Sequence, residues 1–309
     1  MMLSILAVLG GLIALAVGGE LLVRGAVGIS RMLGISPLIT GLVVVGAATS
    51  MPELVASVQA AMLGSPGIAW GNIVGSNIAN SLLILGAAAL IAPIAMRGIG
   101  KRDALIGLLA ALVLWLVTYG QWASPVLGMA LLASLVAYIL WRLRQLPDTG
   151  EDDDDHDDGD PIWWLALLQF GGGLAALVGG GDLLVGGAIE LAQMAGVSQT
   201  AIGLTVVAVG TSLPELAATA AAALRGRSEL AIGNVVGSNL FNLLLIGGVT
   251  MTIAPQAVPI ELVDIEWPVL VASALLILGL CRYARRLGRG LGLVLLAGFA
   301  ANTAVVFVL

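Results

Sequence analysis

The sequence predicts an all-α integral membrane protein of ten transmembrane helices, arranged as two inverted-topology five-helix repeats with broken helices 2 and 7. Three observations carry this expectation. The 309 residues are 59% hydrophobic and 10% charged, where ordinary soluble chains carry about 25% charged residues. A shift of 162 positions lays the second half of the chain on the first, without a gap, through its polar motifs. All 13 Lys and Arg fall on one side of the predicted membrane.

Apolar runs close to the roughly 20 residues that cross a bilayer recur along the whole chain. They cover 3–23, 37–63, 68–92, 103–119, 123–143, 162–186, 199–224, 229–254, 266–281 and 290–309. The first run has no basic start and no small-residue cleavage site, so it reads as a retained span rather than a signal peptide. One clearly polar segment, with the acidic run 151–158 around His156, separates the halves. The domain reading is therefore 1–144 for the first repeat, 145–161 for an acidic linker and 162–309 for the second repeat.

The shift aligns Gly18, Gly19 and Glu20 with Gly180, Gly181 and Asp182. It places Thr49, Ser50, Met51, Pro52 and Glu53 on Thr211, Ser212, Leu213, Pro214 and Glu215, and Asn72, Ser76 and Asn80 on Asn234, Ser238 and Asn242. Apolar bias cannot hold such a register across polar residues, so the duplication is internal. Five spans is an odd number, and the second copy must then enter the membrane from the opposite side. With both termini outside, the inside loops hold Arg24, Arg31, Arg97, Lys101, Arg102, Arg142, Arg144, Arg225, Arg227, Arg282, Arg285, Arg286 and Arg289, and the outside loops hold none. The positive-inside rule fixes this orientation in the cell (inner) membrane and puts the acidic linker on the cytoplasmic side. Secondary transporters are often built from inverted repeats, with their site near the midplane.

Composition also excludes several classes. One cysteine, Cys281, and one histidine, His156, leave no disulfide framework, Cys/His metal site or histidine-based triad. No nucleophile–base set or nucleotide loop suggests an enzyme, no basic patch suggests nucleic acid, and no obligate protein partner is evident. The lipid bilayer and transported ions are the expected partners, with no resident cofactor.

Glu53 and Glu215 lie in the middle of spans 2 and 7. A carboxylate at the bilayer centre costs several kcal/mol on insertion scales, and the preceding proline removes a backbone donor. Together they describe a broken helix whose carbonyls, from Gly46 to Thr49 and from Ala208 to Thr211, can face an ion; irregular backbone is tolerated at this depth where it lines a cavity. In the following span Asn72, Ser76 and Asn80 are spaced by four and share a helical face, mirrored by Asn234, Ser238 and Asn242. Such oxygens suit hard cations such as calcium and sodium. Two carboxylates give a formal charge near −2, which one calcium or two sodium ions neutralise. Crossing the barrier loaded then costs less than crossing empty, which points to obligatory exchange.

Plainer roles compete for the other polar and small residues. The Gly71/Gly75 and Gly233/Gly237 pairs, and the glycines at 171–173 and 179–181, read as close-packing or sliding surfaces. Asn77 and Asn239 point off the Ser76 face and support or pack the helix. Glu20 and Asp182 read as capping or interface-pairing residues. The acidic run is a solvated linker or a calcium-concentrating segment.

The motif Gly210 to Glu215, with the pattern Gly-Asn-x-Val-Gly-Ser-Asn-x-x-Asn at 71–80 and 233–242, resembles the α-repeats of sodium/calcium exchangers, prokaryotic ten-helix type, within the cation/calcium antiporter superfamily. The first copy departs slightly, reading Ala48, Thr49, Ser50, Met51, Pro52 and Glu53. The resemblance implies a core of spans 2, 3, 7 and 8, a sliding pair of spans 1 and 6, and exchange of calcium for sodium. It also implies that Glu53 and Glu215 bridge the ions. Ser50, Ser212, Ser76, Ser238, Thr49 and Thr211 would add oxygens, with carbonyls from Gly46 and Ala208. Asn80 falls where the family has Asn or Asp, and Asn242 where potassium-dependent members carry Asp, which implies potassium-independent exchange. A proton/calcium antiporter of the same superfamily and, in a different class, a cation channel are the alternatives.

Overall fold

The computed structural model describes residues 1–64, 66–145, 162–195, 210–254 and 264–308. In chain order these form α1 (Met2–Leu33), the bent pair α2 (Pro37–Thr49) and α3 (Met51–Met62), α4 (Pro66–Ile91), the strand β1 (Ile94–Ala95), α5 (Lys101–Tyr119) and α6 (Pro125–Leu143). They continue with α7 (Trp163–Met194), α8 (Leu213–Leu224), α9 (Ser228–Ile253), α10 (Glu266–Tyr283), β2 (Arg286–Leu287) and α11 (Arg289–Val308). Among the described residues seven helices are long and apolar enough to cross a membrane, or eight if α2 and α3 count as one span.

Burial separates centre from rim. The apolar windows of α9 and α4 are 94% and 78% buried, whereas those of α1, α6 and α7 are between 22% and 28% buried. The rim helices turn Leu6, Ile13, Leu116, Val136 and Leu168 outward. An apolar outer surface around a polar-bearing centre is the arrangement that lipid requires.

Helices α1 and α7 each run 32 residues, about 48 Å at 1.5 Å per residue, well beyond the roughly 30 Å hydrocarbon core. The sequence limits 3–23 and 162–186 stop short because hydropathy falls at Glu20, Arg24 and Arg31 and at Asp182 and Glu190, while the helical backbone continues. Several basic residues assigned to loops are therefore helical: Arg24 and Arg31 in α1, Lys101 and Arg102 opening α5, and Arg142 and Arg282 closing α6 and α10. Arg142 is also buried, with Nε 3.1 Å from Asp103 Oδ1, and Tyr138 donates to the same oxygen at 2.8 Å.

The α1–α7 contact is built on glycine. A Cβ on Gly11 would lie 2.6 Å from the Gly180 carbonyl oxygen, one on Gly18 2.9 Å from that of Gly173, one on Gly25 2.7 Å from that of Ala166, and one on Gly187 2.6 Å from that of Ser4. Seven-residue spacing on both helices brings one glycine per two turns to the seam. Of the glycine runs singled out in the sequence, Gly173 and Gly180 carry this packing, while a Cβ on Gly171, Gly172 or Gly179 would meet nothing within 4 Å. Every pairing maps onto another under the 162-residue shift: Gly11–Gly180 onto Gly18–Gly173, and Gly25–Ala166 onto Gly187–Ser4.

Glu20 settles as an interface residue: it accepts from Arg24 Nε at 2.8 Å and from Arg225 Nε, at the C-terminal cap of α8, at 2.6 Å. One feature lies outside an all-α reading. Ile94 pairs with Leu287 and Ala95 with Arg286 in a two-residue antiparallel bridge that ties the segments after α4 and α10. Residues 146–161, which hold nearly all of the linker, and residues 196–209 lie outside the described residues.

Candidate functional site

The break between α2 and α3 follows from Pro52, which sits in the first turn of α3 and has no N–H to continue the helix. Ser50 takes φ −81° and ψ 3°, and the chain bends by 44°. Ser212 adopts nearly the same conformation, φ −91° and ψ 7°, ahead of Pro214 in α8. The Gly46 carbonyl accepts the Ser50 N–H at 3.2 Å, so it keeps one lone pair for a ligand rather than being wholly freed. Gly46 has a second reason to be glycine, since a Cβ there would lie 2.9 Å from the Ser238 nitrogen. Gly41 and Gly233 likewise let α2 cross α9 at backbone contact. The positions equivalent to this stretch of α2, residues 200–204, lie outside the described residues, as does Ala208.

Glu53 is 1% exposed and Glu215 2%, and Ser50, Thr49, Asn80, Ser212, Ser238 and Asn242 are all buried with them. Ser212 lies beside the Glu53 carboxylate, while Thr49 and Glu53 lie beside Glu215. Thr49 Oγ1 is 3.4 Å from Ser238 Oγ. The helix carrying Glu53 also packs on the α9 segment that begins at Phe241 and holds Asn242, and the helix carrying Glu215 packs on the α4 segment that begins at Asn80. Residues from both halves thus converge; Ser76 is buried on α4 one turn before Asn80, and Thr211 lies one residue before Ser212.

Among the described residues, most of the buried side-chain polar atoms without a hydrogen-bond partner belong to these side chains. They include both Glu53 oxygens, Glu215 Oε2, the Ser50 and Ser212 hydroxyls, and the whole amides of Asn80 and Asn242. Leaving one buried polar group unpaired costs about 1–3 kcal/mol, and a fold does not concentrate such groups without a ligand for them. Carboxylate, hydroxyl and amide oxygens are the donor set of a hard cation. The orphaned oxygens are of the kind that suits a hard cation such as calcium or sodium.

Two features of the site were hidden in the sequence. Asn80 opens and Asn242 is the second residue of π-helical segments, Asn80–Ile84 and Phe241–Ile246, within α4 and α9; such widened turns often mark functional positions. Asn72 and Asn234 share the polar face of these spans, and their Nδ2 groups hold the neighbouring helix. Asn72 Nδ2 donates to the Glu53 carbonyl at 3.1 Å and to Ser57 Oγ at 2.8 Å; Asn234 Nδ2 donates to the Glu215 carbonyl at 3.3 Å and to Thr219 Oγ1 at 2.9 Å. The signal was present in the register, since Ser57 and Thr219 are equivalent hydroxyls one helical turn past each glutamate. Asn77 donates to the Ile73 carbonyl at 2.7 Å and Asn239 to Ser81 at 3.1 Å, in agreement with packing roles.

The sequence profile of the family described as "Sodium/calcium exchanger protein" matches residues 3–144 and again residues 165–308. The chain is 32% identical to the inner membrane protein YrbG of Escherichia coli (strain K12), over 99% of this chain and 98% of that one. It is 30% identical to the sodium/calcium exchanger MaX1 of Methanosarcina acetivorans, over 98% of each. Among solved structures, the sodium-calcium exchanger NCX_Mj, soaked with zero sodium and calcium, superposes with a TM-score of 0.84 at 30% identity, covering 99% of both chains.

Proposed function

Because this chain belongs to the sodium/calcium exchanger family, a family of membrane antiporters, we propose that it exchanges calcium for sodium at the site between α3, α4, α8 and α9 by alternating access. The observation that carries the reading is the cluster of orphaned oxygens around two buried carboxylates. Glu53 and Glu215 bridge the ion in this proposal. Ser50, Ser212, Thr49, Thr211, Ser76, Ser238, Asn80 and Asn242 add side-chain oxygens, with carbonyls from Gly46 and Ala208.

The charge of the site sets the mechanism. Emptied, it holds up to two negative charges in a low-dielectric centre where each ion is costly; one calcium or two sodium ions cancel them. Conformational exchange then proceeds from loaded states, which couples the two fluxes. Neutral Asn242, where an aspartate would demand a further cation, makes the exchange independent of potassium. The reading includes ten spans in two inverted repeats, 1–144 and 162–309, both termini outside and the linker 145–161 in the cytoplasm. The glycine pairings that map onto one another under the 162-residue shift support the inversion, and the one-sided basic residues support the orientation.

The test is sodium-gradient-driven calcium uptake into proteoliposomes by the wild type, Glu53→Gln and Glu215→Gln. Wild-type uptake should follow the sodium gradient and both variants should lose it. Unchanged exchange in both variants refutes the site, and uptake driven by a proton gradient in sodium-free vesicles, with sodium ineffective, refutes the counter-ion.

A further inference from the structure

We propose that Asn234 is a positioning residue that couples the two halves of the ion site, because its amide joins the main chain at Glu215 to the Thr49 hydroxyl of the other half; the proposal rests on the exchange reading. Asn234 is 1% exposed and lies one turn before Ser238 on α9. Its orientation is not free. The Glu215 carbonyl can only accept, so Nδ2 must face it at 3.3 Å, with Thr219 Oγ1 at 2.9 Å as the second acceptor. Oδ1 is thereby turned toward α2, where Thr49 Oγ1 stands 3.3 Å away and donates to it.

That bond decides what Thr49 shows the site. A hydroxyl has one proton and two lone pairs. The other acceptors around the Thr49 hydroxyl are the Val45 carbonyl oxygen at 3.1 Å, Ser238 Oγ at 3.4 Å and the Glu215 carboxylate. In the proposal a cation between Thr49 and the Glu215 carboxylate takes a Thr49 lone pair and turns the proton away from Glu215 and toward Asn234. A cation on Thr49 Oγ1 polarises its O–H and tightens the bond to Oδ1. The amide then becomes a stronger donor at its other end, toward the backbone that carries Glu215, since hydrogen bonds in series reinforce one another. An ion that engages the first half is thus felt at the second glutamate through three consecutive groups: Thr49, Asn234 and Glu215.

The readout is the steepness of sodium dependence rather than activity alone. In proteoliposomes the wild type should show a sodium Hill coefficient above 1, and Asn234→Ala should bring it toward about 1 while shifting half-saturating sodium upward several-fold. Thr219→Val keeps the bond to the Glu215 carbonyl and should retain the wild-type Hill coefficient. If Asn234→Ala fails to reach the membrane, the isosteric Asn234→Leu decides instead. A wild-type Hill coefficient with unshifted half-saturation in the folded Asn234 variant overturns the proposal, as does a non-cooperative wild type. Wild-type protein that ignores a sodium gradient refutes the exchange reading itself and is distinguishable from either.

Discussion

Placing a methyl group on the glycine seam between α1 and α7 should have opposite effects at neighbouring positions. On Gly18 the new Cβ would lie 2.9 Å from both the Gly173 oxygen and the Leu177 nitrogen, and on Gly173 it would lie 2.8 Å from the Gly18 oxygen and, closer still, 2.4 Å from the Leu22 nitrogen. Ordinary carbon–oxygen approaches are about 3.3–3.6 Å, so the helices must part locally by roughly half an ångström. Overpacking of this kind costs about 1–3 kcal/mol. Alanine is the better helix former by about 0.8–1 kcal/mol, which leaves Gly18→Ala and Gly173→Ala destabilised by up to about 2 kcal/mol. At Gly171 and Gly172 a Cβ meets nothing within 4 Å, the steric cost vanishes, and Gly171→Ala should be neutral or stabilised by up to about 1 kcal/mol. Thermal unfolding of purified protein in detergent, followed by size-exclusion fluorescence, orders the variants; calcium uptake reports whether the seam also limits turnover. Equal melting temperatures for Gly18→Ala and Gly171→Ala would falsify the claim that backbone contact at Gly18 holds the pair together.

Further expectations concern the charges. Arg142→Gln strips a buried partner from Asp103, whose side chain is 2% exposed, and should cost about 3–5 kcal/mol; a melting temperature within a degree of wild type would show that the pair is not load-sharing. Glu20→Gln removes a half-exposed link to Arg225. It should lower stability by no more than about 1 kcal/mol, with any larger change in half-saturating calcium pointing to a role in conformational balance. Asn242→Asp adds a third carboxylate to the site, so calcium uptake should become dependent on a further monovalent cation; titration with potassium at fixed sodium checks this.

Much of the site was legible because membrane burial makes polar residues conspicuous. Glu53 and Glu215 could not sit at mid-span for ordinary reasons, each followed a proline, and the constant 162-residue register tied them to Ser76, Asn80, Ser238 and Asn242. The lengths of α1 and α7 were not legible, because hydropathy responds to Glu20 and Arg24 while the backbone does not. The widened turns at Asn80 and Asn242 leave no mark in spacing, since a π segment and an α-helix bury the same residue types. The orientation of Asn72 and Asn234 escaped for a different reason. An amide offers both a donor and an acceptor, and which one faces the ion depends on Ser57, Thr219 and two main-chain carbonyls that meet it in three dimensions alone. The antiparallel bridge of Ile94 and Ala95 with Leu287 and Arg286 joins segments almost two hundred residues apart and is too short for any periodicity.

The bracket between Glu20 and Arg225 has no twin written into the same register, for the equivalent positions are Asp182 and Leu63. If the halves were faithful copies, the molecule tipped one way would weigh the same as the molecule tipped the other. Here one end is ballasted. A half-exposed ion pair worth about 0.2–1 kcal/mol tilts such a balance by about 1.4- to 5-fold. On the alternating-access mechanism proposed above, the chain would have a preferred side on which to wait, set before either gradient acts on it.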